Sequence, residues 1–266
     1  MESSLLETVW FSEKRRKLLL LLLDGPKTPE EIKSAFRVNW RSLILPLKEL
    51  REEELVLSND GKYELSVIGR LITETVKPVD GVLNLFEGST EYWAHRDLRA
   101  IPQQLRDRIG EIGEPKIIEP DLNHMFEPPE QVFSSLRKSG HVHSVFSIYH
   151  PLYPPLYCKL AEKGVEISLV VTKPVFERMQ EDCRDEMEKI QHLQNMNLSL
   201  YRTEMTEMIP PSIVVTDRIF LASFFNLNGR YDHRDVMSFA GSSLAWGEEL
   251  FENYKLSSHR LPESGI

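Results

Sequence analysis

The sequence predicts two domains of different class: an α+β domain at the N-terminus and a larger α/β domain after it. Helical patterns and one hairpin fill the first 65 residues, and strands alternate with helices from Lys116 onward. Such alternation is typical of a three-layer α/β domain with a largely parallel sheet. We expect domains at residues 1–76 and 116–266, joined by a helical connector at residues 77–115.

The composition indicates a folded protein. With 266 residues and 41% hydrophobic residues, the chain can bury a core and is not wholly disordered. Two cysteines, Cys158 and Cys183, are too few for a disulfide scaffold, which favours a reduced, cytoplasmic compartment. The leucine run at residues 18–23 follows basic residues but is too short for a secretion signal or a spanning helix. We therefore expect no membrane partner.

The first domain is predicted to contain three helices and a hairpin. The first helix covers residues 5–23, and the second covers residues 29–36, with Thr28 as its N-cap. A third helix covers residues 40–53, and Pro46 either kinks it or delays its regular part to about Leu43. The Asp-Gly pair at residues 60–61 lies between two apolar runs, which is a strong hairpin signal.

The later elements follow from the same patterns. A further helix starts at Ser66 and is interrupted at residues 77–81, before short connector helices. The strand-like runs of the second domain cover residues 141–149, 165–171, 198–201 and 212–225. Its helical stretches cover residues 152–163, 174–196 and 242–254.

Three helices followed by a hairpin form the order of a winged helix-turn-helix. In such a domain the third helix enters the DNA major groove and the hairpin tip reaches the backbone or minor groove. Arg41 can donate two hydrogen bonds to guanine or contact a phosphate, and Trp40 can contact a thymine methyl group or simply pack. The candidate DNA-binding residues are Lys33, Arg37, Asn39, Trp40, Arg41, Ser42, Lys48 and Lys62.

The charge balance limits this interpretation. The whole chain has a net charge of −9, and its first 65 residues contain 11 basic and 12 acidic side chains. Phosphate contact requires a basic face, which is still available locally because Glu52, Glu53 and Glu54 lie at the far end of the third helix. We expect DNA binding that is weak for a monomer and stronger for a homodimer. A module that binds another protein is the alternative.

Segments along most of the chain carry a family resemblance. Residues 47–72, 210–225 and 242–254 resemble archaeal winged-helix regulators, and in particular the methanogen family with the methanogenesis-regulatory-protein middle domain. The resemblance implies a sequence-specific transcriptional regulator of methanogenesis genes. It also implies double-stranded DNA as a partner, a homodimer and an effector-sensing C-terminal domain, and it supplies no catalytic residues.

The C-terminal half also distantly resembles the phospholipase-D-like sensor domains of archaeal sugar regulators. The active enzymes of that class have a His, a Lys two residues later and an Asp five residues further on. With Asp217 at the Asp position, Pro210 and Ser212 occupy the other two. We therefore expect a catalytically inactive binding domain and no enzyme, with a phosphodiesterase as the remaining alternative.

Polar residues after the strands are candidate effector ligands, because ligands bind beyond the carboxyl ends of parallel strands. Lys173 and Arg202 would suit an anionic small molecule, although ordinary polarity at strand ends explains these residues equally well. The candidate effector-binding residues are Tyr149, His150, Thr172, Lys173, Tyr201, Arg202 and Asp217.

No cofactor or metal is assigned from the sequence. His141 and His143 would lie on one face of a strand, as two metal ligands must. No third ligand stands at a characteristic spacing from them, so packing or surface contacts are the preferred interpretation. Cys158 and Cys183 lack a nearby basic cluster that would make either thiol a redox sensor.

Overall fold

The computed structural model describes residues 4–120, 130–202 and 208–261. The chain divides into two compact units, Met1–Asp80 and Gly81–Ile266, and the boundary falls inside one long helix, Val67–Glu87. Within the described ranges, no helix is both long and apolar enough to cross a membrane.

The first unit is helical with one hairpin. Its elements are α1 (Leu5–Trp10), α2 (Glu13–Leu22), α3 (Pro29–Phe36), α4 (Arg41–Glu52), β1 (Val56–Asn59), β2 (Lys62–Leu65) and the start of α5 (Val67–Glu87). The leucine run lies on α2, where Leu18, Leu19 and Leu22 are buried against Leu43 and Leu47 of α4. The run is therefore core rather than a signal segment.

Two helix predictions in this unit are wrong. The single helix expected at residues 5–23 is two helices, because the Ser12 side chain accepts a hydrogen bond from the Arg15 backbone N–H and starts a new one. The break expected at residues 77–81 is absent, since α5 continues through Pro78. The predicted cap of α3 is present: Thr28 and Glu31 form a reciprocal capping box.

The second unit is built on one sheet. Its helices are α6 (Thr90–Ala94), α7 (Gln103–Arg106), α8 (Glu130–Leu136), α9 (Tyr153–Ala161), α10 (Lys173–Asp182), α11 (Arg184–His192) and α12 (Gly241–Leu256), with a 3-10 turn at Ile109–Ile112. Its strands are β3 (Lys116–Ile118), β4 (His141–Phe146), β5 (Glu166–Val171), β6 (Met196–Tyr201), β7 (Ser212–Thr216), β8 (Phe220–Ser223), β9 (Asp235–Ser238) and β10 (Ser258–Arg260).

The sheet is mixed, so the prediction of a largely parallel sheet is wrong. The strand order is β10-β6-β5-β4-β7-β8-β9-β3, and only the β4–β5 and β5–β6 pairs are parallel. Helices α9, α10 and α11 provide the crossovers for those pairs. The segment from β7 to β9 has no helix between its strands, so its connections form hairpins and its pairs are antiparallel.

Helices cover both faces of the sheet. On one face, α8, α9, α10 and α11 pack against side chains such as Val142 and Leu169. On the other face, Trp246, Leu250 and Phe251 of α12 pack against alternate strand positions such as Val215. Successive side chains of a strand point to opposite faces of the sheet, so each face has its own set of packed residues.

Residues 81–115, most of the segment expected to be a connector, lie in the second unit. Its apolar residues, including Trp93 and Leu105, are buried in the same core as α12. The indole N–H of Trp246 donates to the Leu105 carbonyl at 2.9 Å, and the Tyr254 hydroxyl donates to the Ala100 carbonyl at 2.8 Å. The α12 helix therefore fixes this segment in place.

Gly247 allows α12 to lie close to the sheet. A Cβ atom built at Gly247 would be 2.5 Å from a ring carbon of Phe220 and 3.1 Å from a methyl carbon of Val215. Both distances are shorter than ordinary van der Waals contact, so the close approach of helix and sheet depends on the missing side chain.

We expect Gly247→Ala to lower the free energy of unfolding by about 1–3 kcal/mol, because the added methyl group overpacks the core. Urea unfolding followed by tryptophan fluorescence measures the change. Gly241→Ala is the matched control, since it lies on the same helix and has no atom within 4 Å of its built Cβ. Equal stability of the two variants would contradict the inferred close approach.

Candidate nucleic-acid interface and sensing surface

The turn before α4 uses two of the predicted DNA-binding residues as structural groups. The Asn39 side-chain oxygen accepts a hydrogen bond from the Arg41 backbone N–H at 3.0 Å, and the Ser42 hydroxyl donates to the Asn39 carbonyl at 2.8 Å. The Asn39 side chain thus satisfies one of the backbone N–H groups that are free at the start of the helix, and the Ser42 hydroxyl contacts a carbonyl that also accepts from the Ser42 backbone N–H. The Arg41 side chain is exposed beside this turn.

Trp40 packs against the hairpin. Its side chain is half-buried at the edge of the first unit's core, and its ring centroid is 6.3 Å from that of Tyr63 on β2. This geometry matches the packing interpretation of Trp40. The contact also fixes the N-terminus of α4 relative to the strand that begins with Lys62.

One face of α4 combines cationic and aliphatic side chains. Arg41, Ile44, Leu45 and Lys48 follow the i, i+3, i+4, i+7 spacing of one helix face, and all four are exposed. The opposite side of α4 carries the buried leucines. Ile44 and Leu45 are not among the candidate DNA-binding residues predicted from the sequence. The i, i+3, i+4, i+7 spacing would have distinguished this exposed face of α4 from its buried face.

The remaining predicted cations are also exposed. Lys33 lies on α3, Arg37 ends that helix with a left-handed backbone (φ 52°), and Lys62 begins β2. Lys48 pairs with Glu52 at 3.4 Å, and both side chains are more than 60% exposed. An ion pair so open to solvent is weak and can be replaced by a phosphate contact.

Six of the seven predicted effector residues lie at or just beyond the carboxyl ends of the parallel strands. Because β4, β5 and β6 are parallel, their carboxyl ends share one sheet edge. Asp217 does not lie with this group. It follows β7, which runs antiparallel to β4, so it lies at the opposite edge and accepts a hydrogen bond from the Gly140 backbone N–H at 3.3 Å.

Several residues at this edge are held within the fold. The Tyr149 hydroxyl lies 3.3 Å from the Cys183 sulfur, and burial together with this contact raises the Tyr149 pKa. Thr172 is buried and donates to the Phe146 carbonyl, and Tyr201 packs edge-on against Tyr254.

The other three residues at the edge are more open. The ring Nδ1 of His150 accepts a hydrogen bond from the Leu152 backbone N–H at 3.3 Å. The exposed side chains are those of Lys173, whose Nζ lies 3.9 Å from Glu177, and Arg202.

A small cavity of about 200 Å³ lies on the β7–β8 side of the second unit. Its volume is below the range of about 300–1,000 Å³ typical of small-molecule sites. None of the predicted effector residues is among its described lining residues. These are Asp97, Arg99, Ala100, Met208, Ile209, Pro211, Phe225, Leu227 and Gly229.

An ion pair between a buried arginine and a partly exposed aspartate holds the loop that forms part of this cavity. The Arg96 guanidinium donates two hydrogen bonds to the Asp232 carboxylate, at 2.9 and 2.6 Å, and lies 3.9 Å above the Tyr92 ring. Arg234 also donates to Asp232, at 3.0 Å. Burial opposes ionisation of Asp232, but the two arginines outweigh it and lower the pKa of this carboxyl group.

The two histidines of β4 contact the carboxylate of Glu248, which the sequence analysis did not predict. Nε2 of His141 and Nδ1 of His143 lie 2.8 and 2.6 Å from the two carboxylate oxygens of Glu248. Burial raises the pKa of Glu248, and the two imidazoles lower it further than burial raises it. No spacing rule could find Glu248, because it lies on α12, 105 residues after His143.

A protein-family model matches most of the second unit. The model of the family described as methanogenesis regulatory protein FilR1, middle domain, matches residues 125–257. The chain belongs to this family. The family segment contains β4 to β9 and the whole of α12, so it includes the parallel-strand edge and the His141–His143–Glu248 cluster.

Two known proteins are similar over most of the chain. The methanogenesis regulatory protein FilR1 of Methanothrix harundinacea (strain 6Ac) is 20% identical over 260 residues, which cover 96% of this chain and 57% of that protein. The chain thus spans a little over half the length of this curated relative. A solved structure of TrmBL2, described as an archaeal chromatin protein with a novel mode of DNA binding, is 13% identical. It has a TM-score of 0.44, with 96% of this chain and 97% of that chain covered.

We expect Asp232→Asn to lower the free energy of unfolding by about 3 kcal/mol at pH 7, because it leaves Arg96 buried without a charged partner. Since the folded pKa of Asp232 is lowered, its stabilising effect is complete above the ordinary aspartate value of 3.8 and is lost as the pH falls below it. In urea unfolding, the stability gap between the wild type and the variant should therefore be constant near pH 7 and narrow as the pH falls below 3.8 toward pH 3.

The control is Asp107→Asn, which removes an exposed carboxylate that accepts from Gln103. It should differ little from the wild type at any pH. A stability gap for Asp232→Asn that stays constant down to pH 3 would show that the ion pair is not its source.

Proposed function

We propose that this protein is a homodimeric, sequence-specific DNA-binding regulator of methanogenesis genes, with an effector-sensing second unit. The observation that supports DNA binding best is the exposed face of α4, in which Arg41 and Lys48 flank two aliphatic side chains. Arginine can read guanine in the major groove, and aliphatic groups contact the methyl group of thymine. The FilR1 family membership and the name of the archaeal relative support regulation of methanogenesis.

The rest of the first unit suits a winged helix-turn-helix. Helices α3 and α4 are joined by a short turn, and the hairpin that follows has a tight tip with positive φ at Asp60 and Gly61. Lys62 is exposed directly after this tip, where it can contact the DNA backbone, although the tip also carries the exposed Asp60.

A second copy of the chain is the proposed partner of α5. Along this helix, Val67, Ile68, Leu71 and Val79 are exposed, and Leu71 is 60% exposed. Positions 68, 71 and 79 are three and eight residues apart, so they lie on one helix face, which is the pattern of a helix–helix interface. Dimerisation would double the phosphate contacts of a domain whose own charge is close to neutral.

The sensing role is proposed for the edge formed by the parallel strands of the second unit. Lys173 and Arg202 are exposed there and are the groups that would bind an anionic small molecule. Effector binding would change DNA affinity only if the effector binds one arrangement of the dimer more tightly than another.

A protein-interaction module is the second candidate. Ile44 and Leu45 favour it, because exposed aliphatic side chains are also typical of protein interfaces. The two candidates differ in salt dependence, since DNA binding releases counterions and weakens as salt increases.

We expect Arg41→Ala to weaken binding to the DNA upstream of its own gene by about 10- to 100-fold, the loss typical of one bidentate base contact. Fluorescence anisotropy at two salt concentrations measures this, with an unrelated duplex of equal length as competitor. If Arg41 contacts only a phosphate, the loss is similar for both duplexes and the salt dependence becomes shallower.

Arg178→Ala is the matched control, because it removes the same charge from an exposed arginine of α10 that pairs with Asp182. It should bind DNA as the wild type does. Wild-type binding that is absent, or that is unaffected by salt and by Arg41→Ala, would contradict the proposal.

We expect Leu71→Glu to shift the protein from dimer to monomer in sedimentation velocity, with at least a tenfold rise in the dimer dissociation constant, because it places a charge in an apolar helix interface. Leu256→Glu is the control, since Leu256 is 85% exposed at the end of α12. A dimer that persists in Leu71→Glu, or a monomeric wild type, would exclude α5 as the interface.

A further inference from the structure

His141, His143 and Glu248 form a cluster with the donor set of a metal site. Each residue offers one ligand atom, and the three atoms lie within 4.8 Å of one another. The two histidines alternate along β4 and so face the same side of the sheet, where α12 packs. Two separate elements therefore aim three ligand atoms at one point.

The fold holds these side chains in position. The missing side chain of Gly247 lets α12 approach the sheet closely, which brings the next residue, Glu248, within reach of β4. The ring of His143 stacks on Phe251 one turn further along α12, with centroids 4.6 Å apart and planes 12° apart. The His141 and His143 rings are themselves 4.8 Å apart, so both imidazoles are oriented before any ligand binds.

We propose that these three residues bind one divalent transition-metal ion of the Zn²⁺ class. Two imidazole nitrogens and one carboxylate oxygen are ligands that Zn²⁺ accepts at about 2.0–2.2 Å, whereas Mg²⁺ and Ca²⁺ prefer oxygen ligands alone. With tetrahedral angles, such bonds separate neighbouring ligand atoms by about 3.3 Å. The two nitrogens lie 2.8 and 2.6 Å from different oxygens of Glu248, and the three ligand atoms lie within 4.8 Å of one another. Side-chain movements of about 1–2 Å would bring all three to that spacing.

The site keeps a coordination position open. All three side chains are 23–32% exposed, so water or an exchangeable ligand can reach the ion. Three protein ligands and one open position are typical of zinc sites with an exchangeable ligand, while structural zinc sites use four protein ligands. A bound ion would link the start of β4 to the middle of α12 and stabilise the folded second unit.

The test uses the full chain, freed of metal with a chelator and titrated with Zn²⁺ in competition with a chromogenic chelator. We expect one equivalent to bind and the melting temperature to rise with added Zn²⁺. Co²⁺ serves as a second probe, because its visible absorption reports nitrogen and oxygen ligation directly. Absence of a stoichiometric site for both ions would overturn the proposal.

Two variants test whether these residues are the metal ligands. Glu248→Gln removes the charged ligand and keeps its size, and we expect metal affinity to fall by about 100-fold or more, beyond the loss typical of an outer-shell change. His143→Ala should abolish the Co²⁺ absorption. Circular dichroism checks that each variant is folded. If His143→Ala does not fold, Glu248→Gln still tests the proposal, because glutamine has the size of glutamate and can form hydrogen bonds to the histidines.

Two matched controls separate this cluster from other metal-binding groups. Glu252→Gln removes an exposed carboxylate one turn along α12 that pairs with Lys255, and His150→Ala removes a histidine of the parallel-strand edge. Both should bind one equivalent as tightly as the wild type. If either control loses the metal, or if Glu248→Gln keeps wild-type affinity, the cluster is a hydrogen-bonded group and not a metal site.

Discussion

The close packing of α12 on the sheet is the constraint on which the second unit depends. At Gly247 the helix backbone lies against Phe220 and Val215 with no space for a methyl group. From this position, Trp246 and Tyr254 hold the segment after α5 by hydrogen bonds to its carbonyl groups. The same helix brings Glu248 to the strand histidines, so one glycine positions both a structural segment and a cluster of ligand atoms.

The local elements of the fold could be predicted because their signals are local. Thr28, Pro29 and Glu31 define the start of α3, and Asp60-Gly61 defines the hairpin, each within a few residues of sequence. Strand direction is a longer-range property. Residues 212–225 gave only the expectation of one or two strands, and nothing in their composition revealed that the absence of a crossover helix makes their pairing antiparallel.

The residues of the candidate sites also divide into those that local sequence signals predict and those that only tertiary packing brings together. The cations of α3, α4 and the hairpin are exposed as expected, because the leucine periodicity of α4 already separated its buried side from its outer side. Asp217 was misplaced since its strand direction was assumed, and Glu248 was missed since only tertiary packing brings it to β4. The side chains of Asn39 and Ser42 bond to the backbone of the turn before α4, and no composition argument distinguishes such groups from base-reading ones.

The edge strands of the sheet limit how the second unit can pair with other sheets. Both edge strands, β3 and β10, are only three residues long. Lys116 lies on one edge, and the exposed His259 and Arg260 lie on the other. Short, charged edge strands offer few free backbone groups to a neighbouring sheet. Within the part of the chain that the structure describes, the eight-stranded sheet thus has edges that disfavour the addition of further strands.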